Sequence, residues 1–402
     1  MIERAMGIGG TALTRRTFLR GSALAGTGAF IAACTGGSTP APASDAAPTP
    51  KTVTGPLKFA NWTAYVDLAG AAYDAGVYEP GSSPTLESFK TEYGVEVDYE
   101  EKIDGNSSFV ETIKPALVGG LATGWDLIIL TDWMASKLVD SGWTEKIDQD
   151  NVPNCTANLR DALRNAAWDP NNDYHYPWQS GMTGIGYNAT AFSDNGLTAP
   201  TKLADLWSVP PDKLTFLDEA RDTFGLTLLK LGIEPDPAKV TADDLQKVAD
   251  DIQPLVDGGL RFTGNSYLQD FGQKKVWAAY VWSGDLASSA GEDDFFVFPE
   301  EGTMIWTDDM LIPKGAANKY TAELMMNYVY DVAIAAQIAA YVYYVSPVKG
   351  TAEAILELDP DAASNDLLFP GDEIVAKQRN FQSLSTELED KMNELFATLS
   401  GL

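Results

Sequence analysis

The chain has 402 residues, with 57 acidic side chains against 28 basic ones and a formal net charge of −29. So acidic a composition argues against nucleic acid and anionic lipid surfaces as partners, because both need basic patches. Two cysteines and a single histidine leave no set for Cys-His nucleophilic chemistry or a His-rich metal site.

The segment from Thr14 to Cys34 holds a twin arginine, Arg15-Arg16, then Phe18-Leu19, an apolar run of small residues, and Ile31-Ala32-Ala33-Cys34. Twin arginines ahead of a short apolar region are a bacterial export signal. The run is shorter than the roughly 20 residues that cross a bilayer. Its small-small-Cys ending resembles a lipobox, in which Cys34 takes a diacylglycerol and becomes the first residue. Removing residues 1–33 takes away four arginines and one glutamate, leaving about −32. With Cys34 acylated, Cys155 has no partner within the chain. Residues 34–56, rich in Pro, Ala, Ser and Thr, cannot bury enough surface to fold and read as a flexible spacer. The expected location is therefore extracytoplasmic, lipid-anchored, after export by the twin-arginine route.

From Leu57 onward, short apolar runs alternate with amphipathic runs, which predicts α/β layers. LKFAN (57–61) reads as a strand, 82–94 as a helix with a Ser cap and a terminal Gly, and VEVDYEE (95–101) as a strand. A helix follows at 107–120, which Pro115 should bend or end. WDLIIL (125–130) reads as a buried strand opening into a helix closed by Gly142. A second series follows residues 183–188. KLTFLD (213–218) is a strand ending at a helix, ADDLQKVADDIQPLVDGG is an amphipathic surface helix, and VWAAYVW (276–282) is a strand. Residues 295–313 read as a pair of strands with a turn at Glu301-Gly302, and the chain from Asn318 as mostly helical.

Aromatic and carboxylate residues cluster where these strands stop, which is where open α/β sheets bind ligands. Trp62, Thr63 and Tyr65 follow the first strand. Thr131, Asp132 and Trp133 follow WDLIIL. Asp218, Glu219, Arg221 and Asp222 follow KLTFL, and Trp282, Ser283, Gly284 and Asp285 follow VWAAYV. Trp306, Asp308 and Asp309 precede MLIP, and Tyr344 ends a helix. Together these suit an organic ammonium. Ring faces attract a cation by about 0.5–2 kcal/mol each. A facing carboxylate adds a charge-assisted bond of roughly 1.5–3 kcal/mol when buried. Each cluster also has a structural reading. The tryptophans suit a core, Glu219 and Asp222 suit a helix start, Asp308-Asp309 suits a turn, and His175 suits a surface or core position.

Read in order, FANWTAYV, GWDLIILTDWM, KID, WDPNNDYHYPW, GIGYN, ADLW, FLDEARDTF with LLKLG, VWSGD and EGTMIWTDDMLIP resemble the spermidine/putrescine-binding proteins of bacterial ABC transporters. These are a branch of the two-lobed extracellular solute-binding proteins. The resemblance runs through most of residues 57–350. It implies an α/β fold of type II-like periplasmic binding proteins, with a cleft between two lobes joined by crossing strands and closing like a hinged trap. The implied lobes are 57–186 with 309–350, and 187–308 with 351–402. Trp62, Thr63 and Tyr65 match the first aromatic wall, and Thr131 and Trp133 a hydroxyl residue and an aromatic. Glu219 and Asp222 match two acids of the second lobe. Trp282, Trp306 and Asp308 match the second wall and its principal carboxylate, and Tyr344 a late aromatic.

The implied function is capture of a polyamine for an ABC permease and its ATPase, by a monomer, with no enzyme chemistry, cofactor or metal. Departures from the pattern are an insertion at 67–84 near the first wall, Trp133 where Tyr is expected, Glu219 where Asp is expected, and the extra Asp132 and Asp309. A late polar residue falls at Gln382 or, less well, Arg379. The alternatives are another cationic or amino compound, a hydrolase using Asp222 and Asp308 as paired carboxylates, and a scaffold without a small ligand. Cys34→Ser should leave the protein folded but release it from the membrane. Detergent partitioning and mass of the wild type check this, and an aqueous wild type without lipid mass overturns the anchor.

Overall fold

A computed structural model of the protein describes residues 51–401 except 290, 361, 363, 364, 382 and 383. The twin-arginine segment and Cys34 lie outside the described residues. In the first half, β1 (Leu57–Trp62), α2 (Pro84–Tyr93), β2 (Val97–Ile103), α3 (Asn106–Val118), β3 (Leu127–Thr131) and α4 (Asp132–Asp140) alternate as the apolar periodicity predicts, and the short α1 (Gly70–Ala75) lies within the 67–84 insertion. Ser83 caps α2, accepting from the Leu86 amide, and Gly94 closes it in the left-handed conformation. Helix α3 runs past Pro115 to Val118. A proline in the last turn removes one bond near the end of the helix and does not stop it.

After the short α5 (Pro153–Asn158) comes the long β4 (His175–Asn188). The second half then adds α6 (Ala189–Asp194), β5 (Leu214–Leu217), α7 (Ala220–Lys230), α8 (Ala242–Asp257), β6 (Arg261–Thr263), α9 (Tyr267–Gly272), β7 (Ala278–Trp282) and α10 (Ser283–Ser289). Next are β8 (Asp294–Val297), β9 (Thr303–Leu311), α11 (Lys319–Val329), α12 (Val332–Val342), α13 (Thr351–Leu358), α14 (Asp372–Ala376), β10 (Gln378–Arg379) and α15 (Thr386–Ser400).

The strands form a mixed sheet of order β2-β1-β3-β9-β4-β7-β5-β6, with β8 and β10 on the side. Each end is parallel: β1 with β2 and β3, and β5 with β6 and β7. The middle is antiparallel and is made by β4 and β9. Residues His175–Thr183 of β4 pair with β9, and its later residues pair with β7 and β8. The far end of β9 pairs with β3. These two strands therefore cross from one parallel half to the other.

Both β8 and β9 run antiparallel to β4. They run in the same direction as each other, so the strand pair around Glu301-Gly302 is not a hairpin. The segment 351–402, expected in the second lobe, packs on two separate groups of helices. Ile355 of α13 packs on the alanine face of α12, at Ala336, Ala339 and Ala340. Helix α12 packs in turn on α2, α10 and α11. Helix α15 packs on α7 and α8, with Phe396 edge-on to Phe262 and Phe224.

Candidate functional site

The parallel strands of both halves end at one crevice. Strand β1 delivers Trp62, β3 delivers Thr131, β5 leads to Glu219 and Asp222, and β7 delivers Trp282. Carboxyl ends of strands in open α/β sheets are where ligands sit, because the following turns diverge and leave a gap. The crossing strand β9 lays Trp306 and Asp308 between the halves, and register places Asp308 opposite Thr131. These residues surround one cavity. Trp62, Thr63, Tyr65, Thr131, Trp133, Glu219, Asp222, Trp282, Trp306, Asp308 and Tyr344 all line it. Every wall and acid residue expected from the sequence for ligand binding is thus brought to one place, joined by Asn106, Arg221, Asn265 and Asp285.

The walls are aromatic rings meeting edge to face. Trp62 and Trp282 stand 6.1 Å apart, Tyr65 and Tyr344 5.2 Å, and Trp306 and Tyr344 5.3 Å. Polar bonds fix several rings. The Trp62 indole donates to the Ile129 carbonyl at 3.1 Å and the Trp306 indole to Thr183 Oγ1 at 3.1 Å. Two glycines make room. A Cβ on Gly181 would lie 2.4 Å from the Trp306 ring, and one on Gly284 2.6 Å from the Tyr344 ring. The Gly of the WSGD motif is therefore a packing requirement of the wall.

Four carboxylates face this cavity. Asp308 accepts from the Tyr65 hydroxyl at 2.9 Å and from Thr131 Oγ1 at 2.8 Å. Burial nevertheless pushes its carboxyl up to about 7. Asp222 accepts from Thr183 Oγ1 at 2.6 Å and is pushed by burial up to about 6. Asp285, also raised by burial, accepts from the hydroxyls of Tyr344 (2.8 Å) and Tyr267 (2.7 Å) and the Asn265 amide (2.6 Å). Glu219 accepts from the Asn106 backbone N–H (3.0 Å) and Nδ2 (3.3 Å), and loss of solvent lifts it to about 8. The one base among the lining residues, Arg221, is engaged elsewhere, 3.0 Å from Glu389. The cavity thus presents dehydrated acids, held by neutral donors and short of positive charge. Such a site attracts a cation that can donate hydrogen bonds.

A family model described as bacterial extracellular solute-binding protein matches residues 85–370. The chain belongs to this family. This solute-binding protein is 28% identical over 327 residues to the spermidine/putrescine-binding periplasmic protein of Salmonella typhimurium, covering 80% of this chain and 85% of that one. It is 27% identical over 312 residues to a putrescine-binding periplasmic protein of Escherichia coli, covering 73% and 81%. Among solved structures, a spermidine/putrescine ABC transporter substrate-binding protein from Streptococcus pneumoniae superposes with a TM-score of 0.65 at 24% identity. That match covers 86% of this chain and 98% of the other. The solved relative shares the two-lobed fold.

Several departures noted in the sequence turn out to be scaffold. In the solute-binding protein none of residues 67–84 lines the cavity. Asp67 holds that insertion, accepting from Ser83 Oγ, the Thr85 amide and Gln337 Nε2 of α12. Asp309 lies on β9 next to Asp308 and so points to the opposite face of the sheet. There it sits 3.9 Å from His175 Nε2. His175 is a buried core residue, its Nδ1 2.7 Å from Asp169. Asp169 also accepts the amides of Asp173, Tyr174 and His175, so the WDPNNDY segment is a carboxylate-organised loop. Asp132 is bonded to the Trp133 amide and is pushed by burial up to about 7, but it does not line the cavity. Arg379 pairs with Glu234 away from the cavity, and Gln382 lies outside the described residues. Asp285 carried a sequence signal, an acid beside an aromatic at a strand end. Asn106 and Asn265 carried none, since both follow edge strands.

The raised carboxyls set the pH dependence of the unliganded protein. Between pH ~4 and ~7 the folded form holds more protons than the unfolded chain, so stability falls as pH rises through that window. Asp308→Asn removes this penalty. Its unliganded melting midpoint, compared with the wild type, should climb from pH 4 to pH 8. Thermal melts over that range check this, and a difference that is flat with pH argues that Asp308 titrates normally.

Proposed function

We propose that this protein is the binding component of an ABC importer for a polyamine, captured between the two lobes and passed to a permease. The observation that supports this is the cavity itself: four carboxylates, three of them buried, spread among six aromatic side chains, with its one arginine already paired. A diamine or triamine places ammonium groups on the acids and methylene segments along the rings. The related periplasmic proteins named for spermidine and putrescine support the same class of ligand. The crossing strands β4 and β9 are the natural hinge, with lobe boundaries close to residues 186 and 308. Cys34 is the proposed lipid attachment site and Arg15-Arg16 the export signal, which together hold the binding lobes outside the cell membrane.

Binding of an ammonium needs the carboxylates ionised. Affinity should therefore rise with pH from about 5.5 to 8, since Asp222 and Asp308 lose protons across that range while the amines stay charged. Calorimetry with putrescine, cadaverine, spermidine and spermine, against amino acids and sugars, tests the class of ligand. Tight binding of a sugar or a neutral amino acid alone overturns the polyamine reading.

Asp308→Asn and Asp222→Asn should each weaken polyamine binding by about 2–4 kcal/mol, because an ammonium facing an amide loses its ion pair. Asp250→Asn on the exposed face of α8 should change little. Equal loss in all three would show a diffuse polyanion and no site. Trp282→Ala and Trp306→Ala should each weaken binding by roughly 1–3 kcal/mol through lost cation–π and methylene contact. Variants that stay folded and bind like the wild type would place these rings outside the ligand's reach.

A further inference from the structure

Trp133 forms part of the cavity wall, yet groups from both halves of the protein hold its ring. Trp133 and Lys137 lie on α4, beside β3 of the first lobe. Arg221 lies on α7, and Glu389 lies in the first turn of α15, which packs on α7 and α8 of the second lobe. The Arg221 guanidinium sits 4.3 Å over the Trp133 ring, and Lys137 Nζ is 4.9 Å from the same ring. Both cations converge on Oε1 of Glu389, which bonds Lys137 Nζ directly and lies 3.0 Å from Arg221. A second contact spans the lobes close by, between Asn106 of α3 and Glu219.

We propose that Lys137, Arg221 and Glu389 form an interlobe latch that positions Trp133 and favours the closed lobes with no ligand present. The inference rests on the lobe closure proposed above. Its physical basis is an asymmetry of burial. Glu389 and Arg221 are nearly buried, with side-chain exposures of 9% and 4%, and they compensate each other within the second lobe. Lys137 is 42% exposed and belongs to the first lobe. Opening therefore hydrates Lys137 at small penalty and leaves no buried charge unpaired, so the latch is reversible. It also moves the Arg221 guanidinium off the Trp133 face, so closure completes that wall. An interaction present only in the closed form raises the closed population before binding and slows release after it.

The test uses the full mature chain with Lys137→Met, and Lys137→Arg as the charge-retaining control. Small-angle scattering of unliganded protein should show a larger radius of gyration for Lys137→Met than for the wild type or Lys137→Arg. Stopped-flow with spermidine should show dissociation faster by roughly 2–5-fold, the range of a half-exposed ion pair. Lys137→Gln replaces the Met variant should that one fold poorly. Identical scattering from the neutral variant and the wild type overturns the latch. If no polyamine binds the wild type, the ligand reading fails, while the unliganded scattering comparison still decides the latch.

Discussion

The site is governed by negative charge placed where water is scarce. Asp222, Asp285 and Asp308 are buried, and the donors described above, hydroxyls and an amide, are neutral. Neutral donors satisfy lone pairs without cancelling charge, so the carboxyls stay raised above their ordinary range. The aromatic walls dehydrate the acids and supply ring faces to a cation. Gly181 and Gly284 let those walls close over them. Each feature follows from keeping several acids together away from water.

The backbone that allows this is the antiparallel crossing of β4 and β9. The parallel ends of the sheet each aim their strand termini, with Trp62 and Thr131 on one side and Asp222 and Trp282 on the other, at the gap between them. Asp308 lies at the crossing itself, bonded to Tyr65 and Thr131 of the first lobe and close to Asp222 of the second. A residue there is in contact with groups from both ends of the sheet at once.

Chemistry-bearing residues outside the cavity serve the frame. Asp169 gathers three consecutive amides and the His175 ring, and thereby sets the start of β4. Asp67 ties the 67–84 insertion to α12. Buried carboxylates that accept several N–H bonds rigidify loops, and in this protein they hold the strands whose ends line the cavity.

Local patterning was sufficient for most of the elements and for the clusters at strand ends, and the family resemblance joined those clusters into a wall. Alternation of apolar runs with amphipathic ones, Ser83 and Gly94 at helix ends, and aromatic-acid pairs after strands are short-range signals, set by side-chain periodicity and by the geometry of strand termini. They marked Trp62, Asp222, Trp282 and Asp308 correctly as neighbours in space. Other features depend on partners far apart in the chain. The parallel course of β8 and β9 depends on β4, more than a hundred residues earlier. The packing of α13 on α12 depends on which alanine face is left open. The convergence of Lys137, Arg221 and Glu389 joins three helices with no shared local pattern. A carboxylate at a helix start looks alike in sequence whether it meets solvent, a ligand or a cation of the other lobe. Only the tertiary structure decides which, because burial and long-range pairing set its charge and its role.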